Sequence, residues 1–201
     1  MLTKSRFSYP IPTQIILGII CLILNVLTTF VAQTPYNPLF LDTIFIVTAS
    51  FFGWISGLIA GCFQIVLIFI NFFDSAVIWF TFCTISYVAI IRLYLRKKDK
   101  INFLNDLLPI YLTAVIVISL EGAIISTILY QTADYQESTG IRFLTVILIR
   151  QQLPVIFSAL MSRIPINILD KAITTLLGYL IYLGADKFLK NRINKNPAES
   201  F

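Results

Sequence analysis

Residues 39–73 read LFLDTIFIVTASFFGWISGLIAGCFQIVLIFINFF, with one carboxylate, Asp42, and no basic residue. A single crossing of a hydrocarbon core takes roughly 20 apolar residues, so this run is too long for one crossing and short for two. One feature breaks it: Gly53-Trp-Ile-Ser-Gly57-Leu-Ile-Ala-Gly61. Glycines so placed predict a tight turn near Gly53–Gly57 between two compact helices, 39–53 and 56–73.

Outward from that run the chain keeps the same character. Residues 15–32, 77–95, 107–130 and 166–184 are further apolar stretches of spanning length. Across the chain 58% of residues are hydrophobic and only 12% charged. That is about half the charged fraction of a soluble domain. Too little polar shell is left to cover a soluble core, so lipid is the solvent implied for most of the chain. Residues 1–201 read as a single membrane domain: an all-α bundle of six transmembrane helices. The segment 143–161 is apolar but carries Arg150, Gln151 and Gln152 near its centre and Pro154 just after. It reads as an amphipathic or interfacial helix, because an arginine at the centre of a lipid-facing helix costs about 3 kcal/mol.

Charge placement tests the count. Basic residues cluster at Lys4 and Arg6, at Arg92–Lys100 and at Lys187–Lys195, each beside an apolar run. With six spans and a cytoplasmic N-terminus, all three clusters fall on the cytoplasmic side, as does the C-terminus, and Asp134–Glu137 falls outside. Treating 39–73 as one span would put Arg92–Lys100 outside, against the positive-inside bias. The expected location is therefore a bacterial inner or plasma membrane, crossed several times. Ile15–Ala32 is long for a signal-peptide core and carries Asn25, so it reads as a retained span.

The same features exclude several functions. The net charge of +5 sits in loops and is not interleaved with aromatics on a soluble element, so no nucleic-acid partner is expected. Histidine is absent, which removes histidine triads and most zinc catalysis. Cys21, Cys62 and Cys83 lie inside apolar runs with no CxxC and read as small core residues. There is no phosphate-binding GxxxxGK[ST] loop, no pair of carboxylates at defined local spacing and no inverted repeat of broken helices. The chain is not expected to be an enzyme, to hold a cofactor or metal, or to drive transport alone.

Polar residues inside the spans carry the functional information. Gly18, Cys21, Asn25, Thr28 and Ala32 form a small, polar stripe on the first span. Gly57, Gly61, Gln64 and Asn71 form another on the third. Such stripes let helices pack closely, and the first is also a candidate for docking another membrane protein through Gly18, Cys21 and Asn25. The ionisable groups are Asp42, Glu121, Arg150, Arg163, Asp170 and Lys171, with Asn167 on the face shared by Lys171, Thr174 and Gly178. All fall in the outer half of the proposed topology. Intramembrane charges need partners or a water-filled cavity, so the alternatives are mutual pairing (Asp170 with Arg163 or Lys171, Glu121 with Arg150) and an outward-facing polar cavity. Both charge signs in one cavity would suit a zwitterionic or heterocyclic solute.

Pro38-Leu-Phe-Leu-Asp42-Thr, with Phe52-Gly53-Trp-Ile-Ser-Gly57-Leu-Ile-Ala-Gly61 after it, resembles the second and third helices of substrate-binding S components of energy-coupling factor (ECF) transporters. Ile164-Pro-Ile-Asn167-Ile-Leu-Asp170-Lys171 resembles the segment before that family's last helix. Trp54 stands where the family has its turn proline, and Gly18, Cys21 and Asn25 stand where its AxxxA contact motif is expected. The resemblance implies capture of a vitamin-like solute from outside, with partners in trans: a transmembrane coupling protein and ATPase subunits. The alternative is a non-transporting scaffold or sensory bundle that binds protein partners.

Overall fold

The computed structural model describes residues 9–32, 39, 41–70, 75–96, 98, 101–132 and 139–195. The helices are α1 (Ile11–Ala32), α2 (Ile44–Phe52), α3 (Trp54–Gly61), α4 (Phe63–Phe69), α5 (Thr81–Leu95), α6 (Leu108–Thr132), α7 (Thr139–Arg150) and α8 (Val155–Lys195). A 3₁₀ turn over Ser75–Phe80 leads into α5, and a π turn over Phe103–Leu107 leads into α6. No strand occurs among the described residues. Among the described residues four stretches are long and apolar enough to cross a membrane: Ile11–Phe30, Val77–Leu95, Asn105–Leu129 and Val155–Asn191.

Side-chain contacts fix the direction of each helix. Asn25 meets Asp42 while Gln14 meets Ile55, so α1 runs against α2 and along α3. Gly61 meets Thr84 and Gln64 meets Thr81, which sets α3 and α4 against α5. Ser86 meets Glu121 and Tyr94 meets Thr113, so α5 and α6 are antiparallel. Ser119 meets Asn167 and Ser126 meets Arg163, so α6 and α8 are antiparallel too. Lys171 meets Thr43 and Gly178 meets Thr48, so α2 and α8 run the same way. The direction alternates from α1 to α2, α3–α4, α5, α6 and α8. The described start of the chain meets the last quarter of α8 at one end of the bundle, where the Tyr9 hydroxyl donates to Asp186 at 2.6 Å. Burial, with the Asp186 carboxylate alongside, holds that hydroxyl above the usual tyrosine range.

The run 39–73 is more broken than its sequence suggests. α2 has nine residues, or roughly 13 Å of helix, and the stretch beyond Gly53 is split at Cys62 into α3 and α4. Every residue of α2 from Ile46 to Phe52 is buried, because α1, α3, α5 and α8 all pack on it. A helix ending inside a protein leaves backbone groups that need partners, and neighbours supply them. Ser56 Oγ donates to Ala49 O at 2.6 Å, Arg92 Nη1 to Ser50 O at 3.3 Å, and the Tyr9 N–H to Phe52 O at 3.3 Å. Gln14 Oε1 accepts the Ile55 N–H at 3.2 Å, at the open start of α3. Gly53 admits Gln14: a Cβ there would overlap its amide. Phe51, Phe52, Tyr179 and Tyr182 pack together beside this turn with ring centroids 5.1–6.3 Å apart.

Two expectations are corrected at the other end. Residues 143–161 are not one helix: α7 stops at Arg150 and α8 starts at Val155. The Leu153 N–H bonds to Leu148 O and the Gln152 N–H to Ile149 O, with Gln152 left-handed at φ 63. That is the Schellman stop, and Pro154 two positions on prevents helical continuation. α7 lies antiparallel on the first half of α8, with the Thr145 and Ser162 hydroxyls 2.7 Å apart. The expected span 166–184 is the middle of a longer helix, α8, which carries Pro165 inside it.

The bundle's outward surface is apolar. Ile11, Ile16, Ile23 and Leu27 on α1 and Phe143 on α7 are exposed, as are Leu169 and Leu180 on α8. Such a surface is compatible with membrane insertion.

Candidate functional site

Three helix faces meet in a polar seam. On α8, Arg163, Asn167, Lys171 and Thr174 succeed one another at intervals of three and four, which stacks them on one face. All four are buried, with exposures of 5%, 2%, 3% and 0%. On α6 the facing residues are Ser119, Gly122 and Ser126; on α5 and the turn before it they are Phe80, Cys83 and Tyr87. Long charged side chains on α8 thus face small residues on α6. Gly122 is required there, since a Cβ would lie 2.8 Å from Arg163 Nη1.

The inner part of the seam is organised by Lys171. Its ammonium donates to Asp170 Oδ2 at 2.7 Å and to Thr43 Oγ1 at 3.3 Å, and it lies 5.5 Å from the Tyr87 ring centroid. Asp170 is fully buried, and its other oxygen accepts the Leu41 N–H at 2.9 Å. Leu41 has φ 48, a left-handed conformation that disfavours a branched side chain by about 1–2 kcal/mol. Asp170 therefore holds the strained segment that brings Asp42 and Thr43 to Lys171. The Asp42 carboxylate lies within electrostatic reach of both Lys171 and Asp170, and its carbonyl accepts from Asn25. The Tyr87 hydroxyl shares a 2.6 Å hydrogen bond with Thr175.

Further along α8, Asn167 Nδ2 donates to Ser119 Oγ at 2.9 Å. Arg163 donates to Ser126 and lies 5.3 Å from the Phe80 ring centroid. Glu121, on α6, accepts from Ser86 at 2.6 Å through Oε1. Cys83 joins the two parts: Glu121, Arg163 and Lys171 all act on it electrostatically. Between Gln14 and Asn25 α1 rises roughly 16 Å, so the Asp42–Lys171 layer lies well inside the bundle from the Gly53 turn.

Of the expected site residues, the structure brings together Asp42, Asp170 and Lys171, with Asn167, Arg163 and Glu121 along the same seam. Arg150 is not among them. It is exposed at the end of α7, and no ion pair joins it to Glu121. The residues of the expected docking stripe on the first span make contacts within the chain. Gly18 packs against Ser56 and Ile59, Cys21 is buried in a cluster with Ala49 and Phe63, and Asn25 is bonded to the Asp42 carbonyl. These residues serve contacts within the chain because α1 must approach the short, broken α2 and α3 closely. The second stripe is internal as well: Gly57 lies against Val88 and Ser50, and Gly61 and Gln64 bond to Thr84 and Thr81. Asn71, Asp134 and Glu137 lie outside the described residues.

Sequence reading missed Thr43, Tyr87, Cys83, Ser119 and Ser126. The signal was present on α6, where Ser119, Gly122 and Ser126 repeat at helical spacing opposite the charged face of α8. Among the described residues no group of three or more metal-ligating His, Cys, Asp or Glu side chains occurs. No family model, curated protein or solved structure matched the chain.

Proposed function

We propose that this chain is the membrane-embedded capture subunit for uptake of a vitamin-like small solute, working with a separate ATP-driven module. One observation carries the reading: the buried charged and amide side chains Arg163, Asn167, Asp170 and Lys171 of α8, met by polar side chains of α5 and α6, Glu121 among them. Burying charges is costly even when they are paired, and ionisable groups inside membrane helices mark solute or ion paths. The alternating helix directions support six crossings, two of them made by the short α2 and α3–α4, which α1, α5 and α8 brace. The meeting of Tyr9 and Asp186 supports termini on one side, and the basic residues near them make that side cytoplasmic. With this orientation the seam lies in the outer half and draws its solute from outside. A transmembrane coupling protein and ATPase subunits would act in trans.

A scaffold or sensory bundle is the second reading. It is favoured by the close internal satisfaction of Asp170, which bonds both Lys171 and Leu41. Native mass spectrometry of the purified protein, then denaturation and identification of small molecules, separates the two. A co-purifying solute, lost in Glu121→Ala and Lys171→Ala while the folded protein persists, supports capture. Protein that carries no solute but retains a membrane partner supports the scaffold.

A further inference from the structure

The two tryptophans of the chain mark two levels of the bundle. Trp54 and Trp79 are both exposed on its outward surface. Trp54 opens α3, next to the turn where Phe52 packs on Tyr182 with ring centroids 5.1 Å apart. Trp79 stacks on Phe82, and its neighbour Phe80 lies under the Arg163 guanidinium. Between Arg163 and Tyr182 α8 rises roughly 28 Å. A hydrocarbon core is about 30 Å thick, and exposed tryptophans settle at its two edges. The Arg163 level is therefore one edge of the core and the Tyr182 level the other.

α8 continues past the Arg163 edge to Val155, roughly 12 Å farther, and α7 runs beside it. Thr145 is level with Ser162 and the two helices are antiparallel, so Arg142 falls near the level of Pro165 and Arg150 near that of Phe157. Arg142 thus stands at the edge of the core, and Arg150 roughly 9 Å outside it. Headgroups occupy about 5–8 Å on each side of the core, so the two arginines bracket that layer. Both are exposed, and neither enters an ion pair between described residues. Residues 139–165 include three arginines and no Asp or Glu. Ile147, Ile149, Ile156 and Phe157 are exposed among them, and arginine interleaved with exposed apolar side chains suits a lipid interface. We propose that the α7–α8 hairpin is a docking surface for anionic phospholipid of the adjoining leaflet, whose headgroups Arg142 and Arg150 hold. A guanidinium matches a phosphate, and an anionic headgroup carries no cation of its own to compete. Arg142 reaches outward from the edge and Arg150 back towards it, each to its own headgroup, so no shared pocket is needed. The inference requires only insertion in a bilayer and goes beyond the capture reading.

Brominated lipids, which quench tryptophan on contact, test it with the full chain in nanodiscs. Phe143→Trp, at an exposed position of α7, reports on lipid beside the hairpin when Trp54→Phe and Trp79→Phe are also present. Trp79→Phe alone leaves Trp54 as the reporter at the other edge. Beside α7, brominated phosphatidylglycerol should be preferred over brominated phosphatidylcholine by roughly fivefold for each arginine, the worth of one basic side chain at an anionic surface. Arg142→Gln with Arg150→Gln should bring that preference near one, and Arg142→Lys with Arg150→Lys should keep most of it. The Trp54 reporter should respond to neither change. Equal quenching by the two lipids when both arginines are present overturns the proposal. So does a preference unchanged in the glutamine variant, which would mean that other groups, Asp134 and Glu137 for example, answer the arginines. Failure of both lipids to quench would show that protein, a second copy included, covers the hairpin, and overturns it too.

Discussion

Gly178→Ala tests whether the crossing of α2 over α8 holds the seam together. An alanine Cβ would lie 2.6 Å from Val47 Cγ1 and 2.8 Å from the Ile44 carbonyl. Ordinary contact begins near 3.4 Å, so the helices must separate by about 0.8 Å. α2 cannot yield easily, because it is buried from Ile46 to Phe52. The separation would stretch the 3.0 Å bond from Thr48 to the Gly178 carbonyl beyond hydrogen-bond range. It would also draw Thr43 away from Lys171, nearer the start of α8. Overpacking costs about 1–3 kcal/mol and the hydrogen bond up to about 1 more, so a loss of about 2–4 kcal/mol is expected. Gly184 is the control: nothing lies within 4 Å of a Cβ placed there, so Gly184→Ala should be neutral or gain up to about 1 kcal/mol of helix propensity. Denaturant titration in mixed micelles, monitored by the fluorescence of Trp54 and Trp79, measures both. Equal stability of the two variants would refute the close crossing.

Lys171→Met leaves Asp170 and Asp42 facing one another and should destabilise the fold by about 3–5 kcal/mol. Adding Asp170→Asn, which can still accept the Leu41 N–H, should recover at least half of that loss in the same titration; a purely additive double variant would show that the pair is not coupled. Gln14→Leu removes the acceptor at the start of α3 and should cost about 1–3 kcal/mol, with faster hydrogen exchange at the Ile55 amide; unchanged exchange there would mean that Gln14 does not cap α3. In a background lacking Cys21, Cys62 and Cys83, a membrane-impermeant maleimide should label Gln151→Cys on intact cells. Lys187→Cys should react only after permeabilisation, and the reverse pattern overturns the proposed orientation.

Helical character is legible because it rests on a signal repeated over many residues, namely apolar runs of spanning length. Helix limits are less so. Gln152 adopts the left-handed position usually filled by glycine, so nothing at that position announces the stop; only Pro154, two residues later, does. Pro165 misleads in the opposite way: it reads as a helix start, yet α8 runs through it, held by α6 and α7 on its flanks. The site is legible where one helix carries it. Asn167, Lys171 and Thr174 share a face by spacing alone. Arg150 is misplaced by spacing because its neighbours in space depend on where α7 ends. Tyr87 and Cys83 look like ordinary core residues until α8 is laid against α5. Gly18, Cys21 and Asn25 do form a contact stripe, but a stripe does not reveal whether its partner is another protein or the next helix.

The polar residues inside this bundle divide by what they bond. Gln14, Asn25, Ser56, Thr84 and Arg92 answer backbone groups that the broken helices leave open. Removing any of them strands a buried carbonyl or N–H, so each is needed for stability. Along the seam the bonds run mostly between side chains: Asn167 with Ser119, Arg163 with Ser126, Ser86 with Glu121. Replacing both Asn167 and Ser119 with apolar groups removes donor and acceptor together, and exchanges of this kind are often neutral or stabilising. Stability alone therefore does not account for the Asn167–Ser119 pair, and the proposed solute capture would. The two groups should respond differently to substitution. Asn167→Leu combined with Ser119→Ala should leave stability within about 1 kcal/mol of the wild-type chain while abolishing solute retention. Gln14→Leu should lower stability yet leave solute on whatever protein remains folded. If the seam pair proves as costly to remove as Gln14, its polarity serves the fold, and the scaffold reading gains what the capture reading loses.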